Sequence, residues 1–137
     1  MHPPRWRRQE GLIREALYVF LAIAVVMAVL LDGVALFTVQ QDARDDASDA
    51  GMEAKQEYAQ TSSIDMAEAA AARHVKANEA DLVAFTATRP TGGSEVVFTV
   101  TVQHHAETYI FKYLKYVPGL DEWVEDMQNP EITRSTE

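Results

Sequence analysis

Four histidines and a string of carboxylates are the residues in this sequence most suited to chemistry. His104 and His105 stand next to each other with Glu107 two positions on, and imidazole with carboxylate is a donor set that suits zinc or copper. Their spacing argues against a shared ion. Neighbours at the end of a strand point to opposite sides, so one metal cannot easily meet both rings. His74 lies between Arg73 and Val75 in an alanine-rich stretch, where the sequence shows no partner for it, and it reads as solvated. Asp42, Asp45, Asp46 and Asp49 are closely spaced but lack the glycine and ligand order of a calcium-binding loop. Gly92-Gly93 belongs to neither a phosphate loop nor a dinucleotide fingerprint. There are no cysteines, which removes thiolate catalysis and thiolate metal sites, and no serine sits in a nucleophile motif. The sequence therefore leads to the expectation of a protein that is not an enzyme and has no cofactor.

Two further sets could serve contact rather than catalysis. Tyr109, Tyr113, Tyr116 and Trp123 carry aromatic bodies with polar tips, a type enriched at interfaces; core packing is the plainer reading. Asp32 is an acid inside an otherwise apolar run. It reads as a carboxylate reaching towards headgroups, as a polar contact with another transmembrane helix, or as a proton relay, for which it lacks a second intramembrane acid.

The element that holds Asp32 is the clearest in the chain. Ala16 to Leu31 is free of charge, and apolar character resumes after Gly33 as far as Val39. The 24 residues 16–39 make about 36 Å of helix, enough for a hydrocarbon core of about 30 Å. Arg5, Arg7, Arg8 and Arg14 come before it and acids follow. That asymmetry puts the N-terminus in the cytoplasm and the rest of the chain outside the cell membrane. The competing reading is a cleaved signal peptide, with Gly33-Val34-Ala35 supplying the small residues of a cut site.

Of the formal charge of −9, residues 40–137 hold −10, with 18 acidic side chains against 8 basic ones. A surface of that sign repels nucleic acid and anionic lipid. Beyond the span, Val39, Ala43, Ala47, Ala50, Ala54 and Tyr58 recur at helical spacing with acids on the other faces, so the helix is expected to continue as an acidic stalk, with Gly51 a place where it could break. A flexible linker is the alternative, since an alanine stripe buries little area. Thr61-Ser62-Ser63 marks a break and an N-cap for a second helix over Ile64–Asn78, with Ile64, Ala67, Ala70, Ala71, Val75 and Ala77 on its apolar face. Leu82–Thr88 and Glu95–Gln103 alternate as strands around a Pro- and Gly-rich turn and predict a hairpin, with Val96, Phe98, Val100 and Val102 facing the core. Ala106–Val117 predicts a third helix ended by Pro118-Gly119, with a strand over Thr108–Phe111 as the alternative. From Gln128 the sequence is polar and reads as a disordered tail.

The expected fold class is α+β, with a basic N-terminus (1–15), a transmembrane helix (16–39), an acidic stalk (40–60), a small extracytoplasmic domain (61–127) and the tail (128–137). The N-terminal segment RWRRQEGLIREALYVFLAIAV resembles the start of type IV pilins and pseudopilins, and in particular of TadE-like proteins of tight-adherence pilus systems. In that resemblance Gly11 ends a basic leader and Glu15 is the early glutamate of the hydrophobic helix, here the fourth residue after the cut where the family has it fifth. The resemblance implies a long helix packed on a small sheet and a structural or assembly subunit of a cell-envelope complex. Its partners would be the bilayer and other membrane subunits or further copies of itself. The alternative is a membrane-anchored module that binds a solute, a cation or a partner protein.

Overall fold

The computed structural model describes residues 6–136, with side chains from Gly11 onward. Arg5, the side chains of Arg7 and Arg8, and the last residue of the predicted tail therefore lie outside what is described. The chain is α+β: a 56-residue helix α1 (Trp6–Thr61), helix α2 (Ile64–Ala77), strands β1 (Asp81–Thr88) and β2 (Val97–Gln103), a 3-10 helix (Phe111–Tyr116), helix α3 (Asp121–Gln128) and strand β3 (Glu131–Ser135).

No proline occurs between Pro4 and Pro90, so nothing in α1 lacks an amide donor, and the helix passes through Gly33 and Gly51 without a break. It divides into two halves by what touches it. Residues 11–31 are exposed apart from the half-buried Ala28. Among the described residues α1 is the one helix long and apolar enough to cross a membrane. Burial begins at Asp32, Leu36 and Val39 and continues through Ala43, Ala47, Ala50 and Ala54. The alanine stripe is thus not the outer face of a free stalk but the centre of the domain. Alanines suit that position because they let α2 and the sheet approach the helix backbone closely.

Ser62, with φ of 56°, terminates α1 in the left-handed region, and its N–H donates to the Tyr58 carbonyl at 2.7 Å. The Ser63 hydroxyl then caps α2, accepting from the Met66 N–H. Four of the six residues expected on the α2 apolar face, Ala67, Ala70, Ala71 and Val75, are buried; Ile64 and Ala77 remain exposed. At its far end Glu79 takes φ of 58°. The Ala80 N–H reaches the Val75 carbonyl and the Glu79 N–H the Lys76 carbonyl, the paired bonds of a Schellman ending.

The predicted hairpin is present: β1 and β2 pair antiparallel, with an irregularity at Leu82/Ala84. A third strand was not expected. β3 pairs antiparallel with β2, Val102 opposite Ile132 and Val100 opposite Arg134, giving the order β1-β2-β3. The polar tail is ordered because its backbone completes the β2 ladder, a gain that does not depend on side-chain hydrophobicity. β2 becomes the central strand, and Phe98, Val100 and Val102 are fully buried against α1 and α2. Tyr58 and Phe85 pack on the Phe98 ring at centroid distances of 5.5 and 5.6 Å.

The predicted third helix over Ala106–Val117 is reduced to the six-residue 3-10 helix, and a helix the sequence did not announce, α3, follows it. A second small core forms here from Leu36, Val39 and Ala106, with Phe111 and Met127 against it. Gln128, assigned to the tail by its polarity, is buried: its side-chain amide donates to the Thr108 hydroxyl at 2.6 Å, and its carbonyl accepts from the Ala106 N–H at 2.7 Å.

Candidate functional site

Two polar constellations lie along the second half of α1, one about fourteen residues beyond the other. The first is centred on Asp32, which is 4% exposed. Its carboxylate accepts from three successive backbone N–H groups, Tyr109 at 2.6 Å, Ile110 at 2.7 Å and Phe111 at 2.7 Å. Neither headgroup contact, a partner helix nor a proton relay describes this arrangement. Asp32 is consumed within the chain as the anion at the start of the 3-10 helix, where backbone donors without helical partners gather. The Thr108 hydroxyl accepts from the Lys112 N–H at 3.0 Å. Together these bonds explain why Ala106–Val117 does not wind into an α-helix: Asp32 and Thr108 fix its first amides in an open turn.

This anchored turn presents the aromatic set. Tyr109, Tyr113 and Tyr116 are 60–73% exposed and Trp123 is 50% exposed, so core packing, the plainer expectation, is replaced by a surface. Trp123 leans on Phe111, with ring centroids 5.2 Å apart. The Lys112 ammonium lies 5.4 Å from the Tyr113 ring and that of Lys115 5.3 Å from the Tyr116 ring.

The second constellation joins α1, α2 and the end of β2. Asp46, 9% exposed, accepts from the Asn78 amide at 2.6 Å and meets His104 Nε2 at 2.6 Å. His74, read from the sequence as solvated, is drawn in as well. Its Nδ1 is 3.1 Å from Glu53, its Nε2 3.3 Å from the Asn78 amide and 3.7 Å from Asp46. The ring thus bridges Glu53 on α1 and the Asn78–Asp46 pair. His105 points elsewhere, to the Asn129 side-chain oxygen at 2.6 Å. The divergence expected for adjacent residues is therefore observed, and His104 and His105 do not converge on a common ligand. Among the described residues no group of three or more histidine, aspartate and glutamate side chains is arranged to hold a metal ion.

Asp46 and His104 have the relation of an orienting carboxylate and a base. Among the described residues no hydroxyl hydrogen-bonds to His74 or His104. What the pair does is tie three elements together through a carboxylate on the central helix. Sequence reading missed this because Asp46, Asn78 and His104 are 32 and 58 positions apart, and only the helix-to-sheet packing brings them into one place. Across the same domain Lys55 on α1 pairs with Glu95 before β2. The hydrogen bond and the ammonium charge hold the Glu95 carboxyl below its ordinary value; with both ends exposed, the pair contributes little to stability.

Two of the surface depressions are open polar grooves. One is lined by Phe37, Gln41, Arg44, Asp45 and Arg134, another by Gln103, Glu125, Asn129 and Glu131. Neither has the apolar walls with a few convergent polar groups that mark a small-molecule site. The residues carrying the pilin-like resemblance, Gly11 and Glu15, lie on the uncovered half of α1, away from both constellations. Comparison of the chain with protein-family models, with curated proteins and with solved structures finds no match.

Proposed function

We propose that the protein is a single-pass, membrane-anchored structural or assembly subunit of a cell-envelope complex that acts through protein–protein contacts. Its N-terminus lies in the cytoplasm and its sheet-bearing domain outside. The observation that carries this reading is the division of α1. The twenty apolar-rich residues from Leu12 to Leu31, apart from half-buried Ala28, are left uncovered, about 30 Å of helix, and the same helix then becomes part of the core of the folded domain. An apolar face of that size has to be covered by lipid or by protein, and a helix continuous with the domain core transmits position between membrane and surface without a hinge. The resemblance carried by Gly11 and Glu15 makes a pilus- or pseudopilus-like assembly the finer form of the proposal.

The test is photocrosslinking from Val25 and Phe37 in intact membranes. A subunit gives one fixed protein adduct, a second copy or another membrane protein, from at least one position. Lipid adducts alone, with a protein that purifies as a lone monomer, favour a free-standing binding module. Orientation is checked separately. Cysteines placed at Ser63 and Ser94 react with an impermeant thiol reagent on intact cells, whereas one replacing Gln9 does not; reversed labelling overturns the topology.

A further inference from the structure

Beyond α1 the domain carries its exposed aromatic residues, Tyr109, Tyr113, Tyr116 and Trp123, in one segment, and Asp32 fixes where that segment lies along α1. Three backbone N–H bonds from Tyr109, Ile110 and Phe111 to the Asp32 carboxylate hold the 109–117 turn at the point where the uncovered half of the helix stops. The distance from Leu12 to Leu31 matches the thickness of a hydrocarbon core, about 30 Å. A chain anchored by that segment therefore sets the turn at the level of the outer headgroups. We infer that the exposed face formed by Tyr109, Tyr113, Tyr116, Trp123, Lys112 and Lys115 is a seat that rests on the outer lipid surface and favours acidic phospholipid headgroups. This inference rests on the membrane-anchored reading proposed above.

Local charge makes lipid the fitting occupant. The domain as a whole is strongly acidic, yet Thr108 to Leu120 contains Lys112 and Lys115 and no acid. This stretch is the part of the domain that an anionic surface attracts; Asp121 and Glu125 border it, sharing a depression with Lys115 and Tyr116, so the attraction rests on Lys112 and Lys115 reaching the headgroups past those acids. Tyrosine and tryptophan settle at the membrane–water boundary because their rings are apolar and their tips form hydrogen bonds, and lysine reaches towards headgroups with its stem in the apolar layer. Lys112 and Lys115 already lie close to the rings of Tyr113 and Tyr116, so aromatic and cationic groups are presented together. Three bonds to a buried carboxylate fix this turn to the helix, so the seat sets the tilt and rotation of the domain over the bilayer as well as its height.

The absence of cysteine allows spin labels to be placed one at a time in the full-length protein, reconstituted in vesicles of phosphatidylcholine with one quarter phosphatidylglycerol. Labels replacing Val25, Tyr113, Tyr116 and Ser94 are compared for collision with oxygen, which concentrates in lipid, and with a nickel chelate confined to water. The expected result is a Val25 label in the hydrocarbon, Tyr113 and Tyr116 labels at headgroup depth, and a Ser94 label in bulk water. Replacing both lysines, Lys112→Glu with Lys115→Glu, shifts the Tyr116 label outward into water. Vesicles of phosphatidylcholine alone reduce its depth in the unsubstituted protein. A Val25 label in the hydrocarbon with the turn labels fully in water overturns the seat and leaves the anchor standing. Turn labels shielded from both reagents show a protein covering that face and also overturn it. A Val25 label outside the hydrocarbon overturns the anchor and the seat together.

Discussion

At the residue scale, the two buried acids of α1 behave as fasteners rather than reagents. Asp32 satisfies three donors that would otherwise be left at the start of a 3-10 helix, and bonds to an ionised acceptor are the stronger kind. Replacing it with alanine removes the acceptor and leaves the N–H groups of Tyr109, Ile110 and Phe111 against the helix. The expected cost is about 2–4 kcal/mol, from unsatisfied donors at roughly 1–3 kcal/mol each with some access to water. Denaturant titration of the intact protein in detergent measures it, and Asp32→Asn, which keeps one acceptor oxygen, should cost distinctly less. Equal destabilisation by the two would show that the charge matters and the hydrogen bonds do not. Asp46 makes a parallel case. Asp46→Ala strips the partner from Asn78 and His104 and should cost about 1–3 kcal/mol, whereas His105→Ala, which removes only the contact with Asn129 at an exposed site, should stay within about 0.5 kcal/mol. Both acids were visible in the sequence, but their partners were not, because a carboxylate gives no sign of which distant amides will face it.

At the scale of elements, what was legible followed periodicity and what was missed followed pairing. Helix α2 and the β1–β2 hairpin were readable because their apolar residues repeat at 3.6 and at 2, and because Ser63 and the Pro90–Gly93 turn mark their ends. β3 has almost no such pattern: in EITRS only Ile132 is partly buried among the strand's five residues, and the strand exists because β2 offers an open edge. Its anchorage beyond the ladder is specific. Thr136 closes the pairing, its N–H donating to the Phe98 carbonyl at 2.9 Å and its hydroxyl accepting from the Phe98 N–H at 3.0 Å, and its methyl group occupies the space over Gly51. A β-carbon on Gly51 would lie 2.8 Å from that methyl. Gly51→Ala therefore sets a gain in helix propensity of about 1 kcal/mol against displacement of Thr136, and Gly51→Leu has a similar propensity gain but a far larger side chain to place against Thr136 and Val100. The leucine variant should lose amide-exchange protection at Phe98 and along β3 while α2 stays protected. Uniform loss over the whole domain would mean that β3 is integral to the core rather than docked on it.

At the scale of the whole molecule, the boundary between the uncovered part of α1 and the domain does not coincide with the end of the apolar run. Apolar sequence continues to Val39, which led to a domain expected to begin after the span, but Asp32, Leu36 and Val39 are buried against residues 106–127. The chain therefore uses Leu36 and Val39 twice, as part of an apolar helix and as part of the domain's smaller core. This overlap makes a sharp prediction about fragments. Two soluble pieces, 31–137 and 42–137, differ by eleven residues, and both keep Ala43, Ala47, Ala50 and Ala54 against α2 and the sheet. The longer piece should retain Asp32's three bonds and unfold in one cooperative step. The shorter one should keep the α1–α2–sheet body while Ala106–Gln128 loses its support, since that segment then has neither the carboxylate nor Leu36 and Val39 to pack on. Hydrogen exchange read residue by residue distinguishes the two: protection at Tyr109, Ile110 and Phe111 should be present in 31–137 and absent in 42–137, with protection at Val100 and Val102 similar in both. If Tyr109–Phe111 remain protected in the shorter piece, α3 and the 3-10 helix are held by the sheet end of the domain alone. The Asp32 contact would then be a consequence of how the domain folds rather than the joint that sets it on the helix.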